Sequence, residues 1–194
     1  LGYIPTSRAL RTLGTISKRF SKKDQPRAWS LVGPYGSGKS SFALFLSHLL
    51  STPESKKARA ARNLLAGNDP ELAEALRVET KDTDGYLEVL ISGTPERLSL
   101  RYLRGLQDGM TGYWLGRKGK KPAVIADMDR YANAGAVSVS ELIEVTKLCQ
   151  DALSKVGCPG MVIVFDEFGK FLEYESRFLG VNDVFLLQAL AEHA

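Results

Sequence analysis

Apolar residues along this chain recur at two distinct spacings, and the two alternate. From Ser7 to about Phe20, Leu10, Leu13 and Ile16 fall three apart, which predicts an amphipathic helix over 7–20 with Thr6 and Ser7 as possible caps. The polar stretch SKKDQP, 21–26, reads as a linker. AWSLV, 28–32, is a short apolar run and reads as a buried strand entering a glycine-rich loop. KSSFALFLSHLL, 39–50, is apolar nearly all round, the signature of a helix covered on most sides.

Residues 51–80 change character. Ala- and Leu-rich pieces separated by GNDP predict two short helices, roughly 54–65 and 70–77, with Asp69 as N-cap and Pro70 at the first helical position. Together they read as an insertion. YLEVLIS, 86–92, reads as a strand, and TPERLSLRYLRGLQDG as a helix opened by Thr94-Pro95. MTGYWLGRKGKKP, 110–122, reads as a glycine-punctuated loop. AVIAD, 123–127, fits a short strand or a helical turn equally. Residues 138–157 read as an amphipathic helix capped by Ser138 or Ser140, with Glu144 in its first turns. GMVIVFDEFGKFLEY reads as a buried strand ending in two acids and followed by packing residues: Phe168, Phe171, Leu172 and Tyr174. A last helix starts at about Asn182, and no internal repeat occurs.

Composition narrows the class. With 194 residues, 44% hydrophobic and 25% charged, the chain is an ordinary globular sequence sized for one domain with an inserted lobe. No run of eighteen apolar residues is present, so no membrane partner is expected. The start lacks both a signal-peptide pattern and an initiator Met, and reads as a fragment or a processed product. Two cysteines, Cys149 and Cys158, exclude a disulfide framework and point to a reducing, cytoplasmic compartment. His48 and His193 are too far apart in sequence to support a histidine metal site or dyad. The net charge of +4 is unevenly spread, since residues 1–60 carry eleven Lys and Arg against Asp24 and Glu54. Such a split marks either a surface for phosphate backbones or a solvated face.

The strongest chemical signal is Gly33-Pro34-Tyr35-Gly36-Ser37-Gly38-Lys39-Ser40, a full G-x-x-x-x-G-K-[ST] between an expected strand and an expected helix. Glycines let successive backbone N–H groups turn around an anion, and the helix N-terminus adds unpaired donors. Lys39 reaches terminal phosphates, and the Ser40 hydroxyl suits Mg²⁺. Residues 33–41, Ser41 included, are therefore the expected nucleotide contacts, with Tyr35 and Ser37 at the variable positions. Asp166, at the end of MVIVFD, is the expected second Mg²⁺ ligand, directly or through water. Glu167 follows it and is suited to accept a proton from an attacking water. Water, rather than an acceptor hydroxyl, is then the nucleophile.

These residues resemble the Walker A and Walker B elements of P-loop NTPases. The added Glu167 makes the chain similar to the branch with an additional catalytic glutamate, which includes AAA+, Cdc6/Orc-like, STAND and archaeal-type ATPases. More loosely, GPYGSGKSSFALFL with VFDEFGKFLEY resembles large prokaryotic ATP-binding proteins, some of them in anti-phage defence systems. The resemblance spans Ala28 to about Tyr174, with specificity in Gly33–Ser40 and Asp166–Glu167. It implies an α/β three-layer sandwich with a mostly parallel sheet, a helical insertion at 51–80, and the two motif strands side by side with YLEVLIS as the strand that comes between them in sequence. The expected organisation is an N-terminal helix and linker over 1–27 and an ATPase domain over 28–194. The family's sensor residue and arginine finger have no match here, implying an ATPase core whose C-terminal part is missing.

The expected activity is Mg-dependent ATP binding and hydrolysis by a regulatory or defence-type ATPase module. The alternatives are a nucleotide-gated switch or scaffold with little turnover, and a small-molecule kinase. Adenine is the default base, because TKLC, 146–149, lacks the Asp of a guanine motif and lies within an expected helix. A homo-oligomer or a partner protein of a larger complex is an expected associate. GYWLGRKGKK interleaves Tyr113 and Trp114 with Arg117, Lys118, Lys120 and Lys121, which suits either single-stranded DNA or a solvated loop anchored by its aromatics.

Overall fold

The structure, a computed structural model, describes residues 3–20, 27–79, 83–115, 117, 120–177 and 183–194. The chain divides into two compact units, one running to Tyr86 and the other Leu87–His193.

The first unit is helical. α1 (Ser7–Phe20) buries Leu13 and Ile16, as the spacing predicts, and the Thr6 hydroxyl caps it by accepting from Ala9 N at 3.2 Å. α2 (Lys39–Leu50) buries Phe42, Phe45, Leu49 and Leu50. α3 (Lys56–Asn68) is capped by Ser55, which accepts from Ala58 N, and buries Ala58, Ala61 and Leu65. Arg62 of α3 reaches back to α2. Its guanidinium donates to Leu49 O at 3.2 and 3.1 Å and to Ser51 O at 3.0 Å, satisfying carbonyls that a helix end leaves open. α4 (Pro70–Glu79) starts as predicted, with the Asp69 carboxylate accepting from Leu72 N at 3.0 Å.

The second unit is built on two parallel strands. β1 (Leu87–Ser92) and β2 (Met161–Asp166) pair in register from Leu87↔Met161 to Ser92↔Asp166. Alternation puts Leu87, Val89 and Ile91 on one face beside Met161, Ile163 and Phe165. That face packs with α5 (Leu98–Trp114), which contributes Leu98, Tyr102, Leu103, Leu106 and Met110 to the core. α6 (Ala123–Ala134), α7 (Val139–Ser154), α8 (Gly169–Arg177) and α9 (Val184–His193) complete the unit. α7 is capped by Ser138, one of the two expected caps, in a capping box in which Ser138 and Glu141 exchange hydrogen bonds.

The expected three-layer sandwich with a mostly parallel sheet is not what forms. Among the described residues the chain is mostly helical and holds two strands only. AWSLV is the main correction. Residues 28–32 join no ladder, and Val32 is 92% exposed. An apolar run has strand preference, but a strand exists only where a neighbour pairs its backbone groups and covers its side chains. The glycine-punctuated stretch is a second correction, because α5 continues through Met110–Trp114. Gly109 and Gly112 lower helix propensity, and the burial of Met110 and Trp114 overrides it. The ambiguous 123–127 run is helical, and the predicted linker 21–26 and the helix start at Asn182 lie outside the described residues. No helix is long and apolar enough to cross a membrane among those described.

Candidate nucleotide-phosphate site

The phosphate-loop segment lies in the first unit and is exposed except at Lys39, which is half-buried. Gly36 (φ 75°) and Gly38 (φ 81°) both take left-handed backbone that a side chain would strain. Ser37 N donates to Pro34 O at 3.3 Å, closing a turn, and Gly38 then serves as the N-cap of α2. A glycine cap carries no side chain to occupy the first amides of the helix. Lys39 curls back over the loop, its ammonium donating to Gly33 O at 2.9 Å, Pro34 O at 2.8 Å and the Ser37 hydroxyl at 3.5 Å. The sequence-predicted contacts from Gly33 to Ser41 thus occupy one turn and the start of one helix. Tyr35 at its tip is fully exposed.

The acid pair lies in the second unit. Asp166 ends β2, and its carbonyl accepts from Gly93 N at 2.8 Å, just past the end of β1. Its carboxylate Oδ1 accepts from Glu167 N at 2.9 Å. Glu167 has φ 50°, the only positive value of a non-glycine residue among those described. Its carbonyl accepts from Lys170 N, and its carboxylate pairs with the Lys170 ammonium at 2.6 Å. That hydrogen bond raises the Lys170 pKa above its ordinary value. Two residues that hold this turn were not singled out from sequence. Gly93 permits a close backbone approach, and Lys170 holds the carboxylate. The KF that follows DEFG gave a cation three residues after Glu167, which is the signal available for Lys170.

The donor set suits the groups the motif implies. A left-handed glycine turn, a helix start capped by glycine and a lysine ammonium suit a phosphate. The Ser40 hydroxyl in the first unit and the Asp166 carboxylate in the second are each, taken singly, oxygen donors of the kind Mg²⁺ accepts beside phosphate and water. A closed cage of three or more His, Cys, Asp or Glu is absent among the described residues.

The aromatic-basic stretch is less suited to stacking bases. Trp114 is 8% exposed within the core, and the Tyr113 ring is covered by the Arg117 guanidinium, 4.0 Å from its centroid. Lys118 lies outside the described residues. Both cysteines are buried, and burial pushes the Cys149 thiol up to about 12. No protein-family model, curated protein or solved structure matches this chain.

Proposed function

We propose that this chain binds Mg-ATP and hydrolyses it, as a module of a regulatory or defence-type ATPase. The observation that carries the reading is the conformation of Gly33–Ser40: two left-handed glycines, a glycine-capped helix start, and the Lys39 ammonium laid over the turn. Arrival of a phosphate gives Lys39 a stronger, charged acceptor than the two carbonyls it holds without one. Lys39 then carries charge that develops on the transferred group, and Glu167 orients a water and takes its proton. Magnesium, when bound, neutralises phosphate charge, with Ser40 and Asp166 as the side chains suited to hold it.

A second reading is a nucleotide-gated switch with little turnover. It is favoured by the fact that both working groups are already engaged, Lys39 with its own loop and Glu167 with Lys170. Phosphate release from ATP and from GTP with Mg²⁺, measured beside nucleotide affinity, separates the two. Under the hydrolysis reading ATP is turned over, and Glu167→Gln abolishes turnover while affinity persists. ATP binding with idle wild type selects the switch, and absence of nucleotide binding overturns both.

A further inference from the structure

The backbone of Glu167 is held from several sides. Its N–H is bound by the Asp166 carboxylate at 2.9 Å, and its carbonyl receives Lys170 N at 3.1 Å. Gly93 lies so close that an added Cβ would stand 2.9 Å from the Glu167 carbonyl carbon. Gly93 N is itself tied to Asp166 O at 2.8 Å. With the peptide fixed in left-handed geometry, the carboxylate moves only through the side-chain torsions of Glu167.

Lys170 is the cation that meets that carboxylate. It is the second residue of α8, whose first turn holds no acidic residue. A cation at a helix N-terminus opposes the helix dipole, so the favourable partner for this ammonium is the Glu167 carboxylate rather than the helix that carries it. The pair is short, 2.6 Å, and occupies Oε2. Both side chains are about half exposed, 48% for Lys170 and 52% for Glu167, so the pair can open without disturbing the core.

We propose that Lys170 is a positioning residue whose ammonium latches the Glu167 carboxylate in competition with the water to be activated, so that turnover requires the pair to open. This rests on the hydrolysis reading above. A carboxylate oxygen that accepts from an ammonium has that lone pair engaged, and the water to be activated competes for the same group. The latch acts on Glu167 and not on the groups proposed to hold phosphate, so nucleotide affinity is expected to be independent of it.

The test compares wild type, Lys170→Met, Lys170→Arg, Glu167→Gln and the Lys170→Met/Glu167→Gln double variant, using Mg-ATP turnover and ATP affinity on the same samples. Lys170→Met is expected to raise kcat about two- to five-fold with unchanged affinity, the scale of an exposed ion pair. Lys170→Arg, which keeps the cation, is expected to match wild type, and the double variant to be as idle as Glu167→Gln. An idle wild type with an active Lys170→Met also supports the latch. A Lys170→Met rate equal to or below wild type overturns it, whether or not wild type is active. If Glu167→Gln keeps the wild-type rate, the role of Glu167 and the latch fall together. If Glu167→Gln is idle and Lys170→Met unchanged, the latch alone falls. Chemical unfolding midpoints of all variants confirm that they are folded.

Discussion

The α-carbon of Gly93 lies against the carbonyl of Glu167, which joins the end of β1 to the turn that ends β2 by backbone contact alone. A methyl group there would stand 2.9 Å from the carbonyl carbon of Glu167 and 3.2 Å from the oxygen of Asp166. Both neighbours are backbone atoms that cannot swing away. Gly93→Ala should therefore destabilise the second unit by about 1–3 kcal/mol, read as a lower urea midpoint, because overpacking against rigid neighbours distorts them. An unchanged midpoint would mean that the strand end and the acid turn separate readily.

Removing the Lys39 ammonium should weaken ATP binding by about 10- to 100-fold, the scale of one charge-assisted hydrogen bond network to phosphate. The measurement is ATP affinity of Lys39→Ala by calorimetry with Mg²⁺. Stability should barely change, since the acceptors of Lys39 are carbonyls of an exposed turn that water can satisfy.

Asp183 should be a major anchor of the second unit. Its carboxylate is 4% exposed and accepts from Ser99 N at 3.0 Å and the Ser99 hydroxyl at 2.7 Å, capping the start of α5, with Arg97 at 3.7 Å. Asp183→Ala is expected to cost about 2–4 kcal/mol, because it strands buried donors and the Arg97 charge. Asp183→Asn keeps an acceptor toward Ser99 and should cost less. Urea unfolding of the two variants checks the order.

Stability should fall at alkaline pH through two buried groups. Burial pushes the Cys149 thiol from an ordinary 9.0 up to about 12 and raises the Tyr102 phenol, which hydrogen-bonds Thr146 at 2.8 Å. Both stay protonated in the folded state at pH values where the unfolded chain has released the proton. The unfolded state then binds fewer protons, so stability declines as pH rises from about 9 toward 12. Unfolding midpoints across this range should drop, and less steeply in Cys149→Ala. In the folded protein Cys149 should resist alkylation at neutral pH until denaturant is added.

Local chemistry was legible wherever neighbours in sequence make the structure. Asp69-Pro70 starts α4, Ser138 caps α7, and Lys39–Leu50 is the helix that its apolar pattern describes. The phosphate-loop turn follows from Gly36 and Gly38, whose left-handed angles are set by a few adjacent residues. These helices and turns close their hydrogen bonds within a few residues, so the sequence by itself determined them; the Met110–Trp114 end of α5 is the exception, decided by burial against local propensity.

Long-range pairing was decided only by the tertiary structure. AWSLV and MVIVFD are both short apolar runs, yet only the second found a neighbour, β1, and became a strand. The same holds for the acid turn. Asp166 and Glu167 were visible as residue types, while the left-handed Glu167 peptide required Gly93, more than seventy positions earlier, to be without a side chain. A strand or a close backbone contact depends on which distant segment arrives beside it, and no local spacing in the chain carries that information.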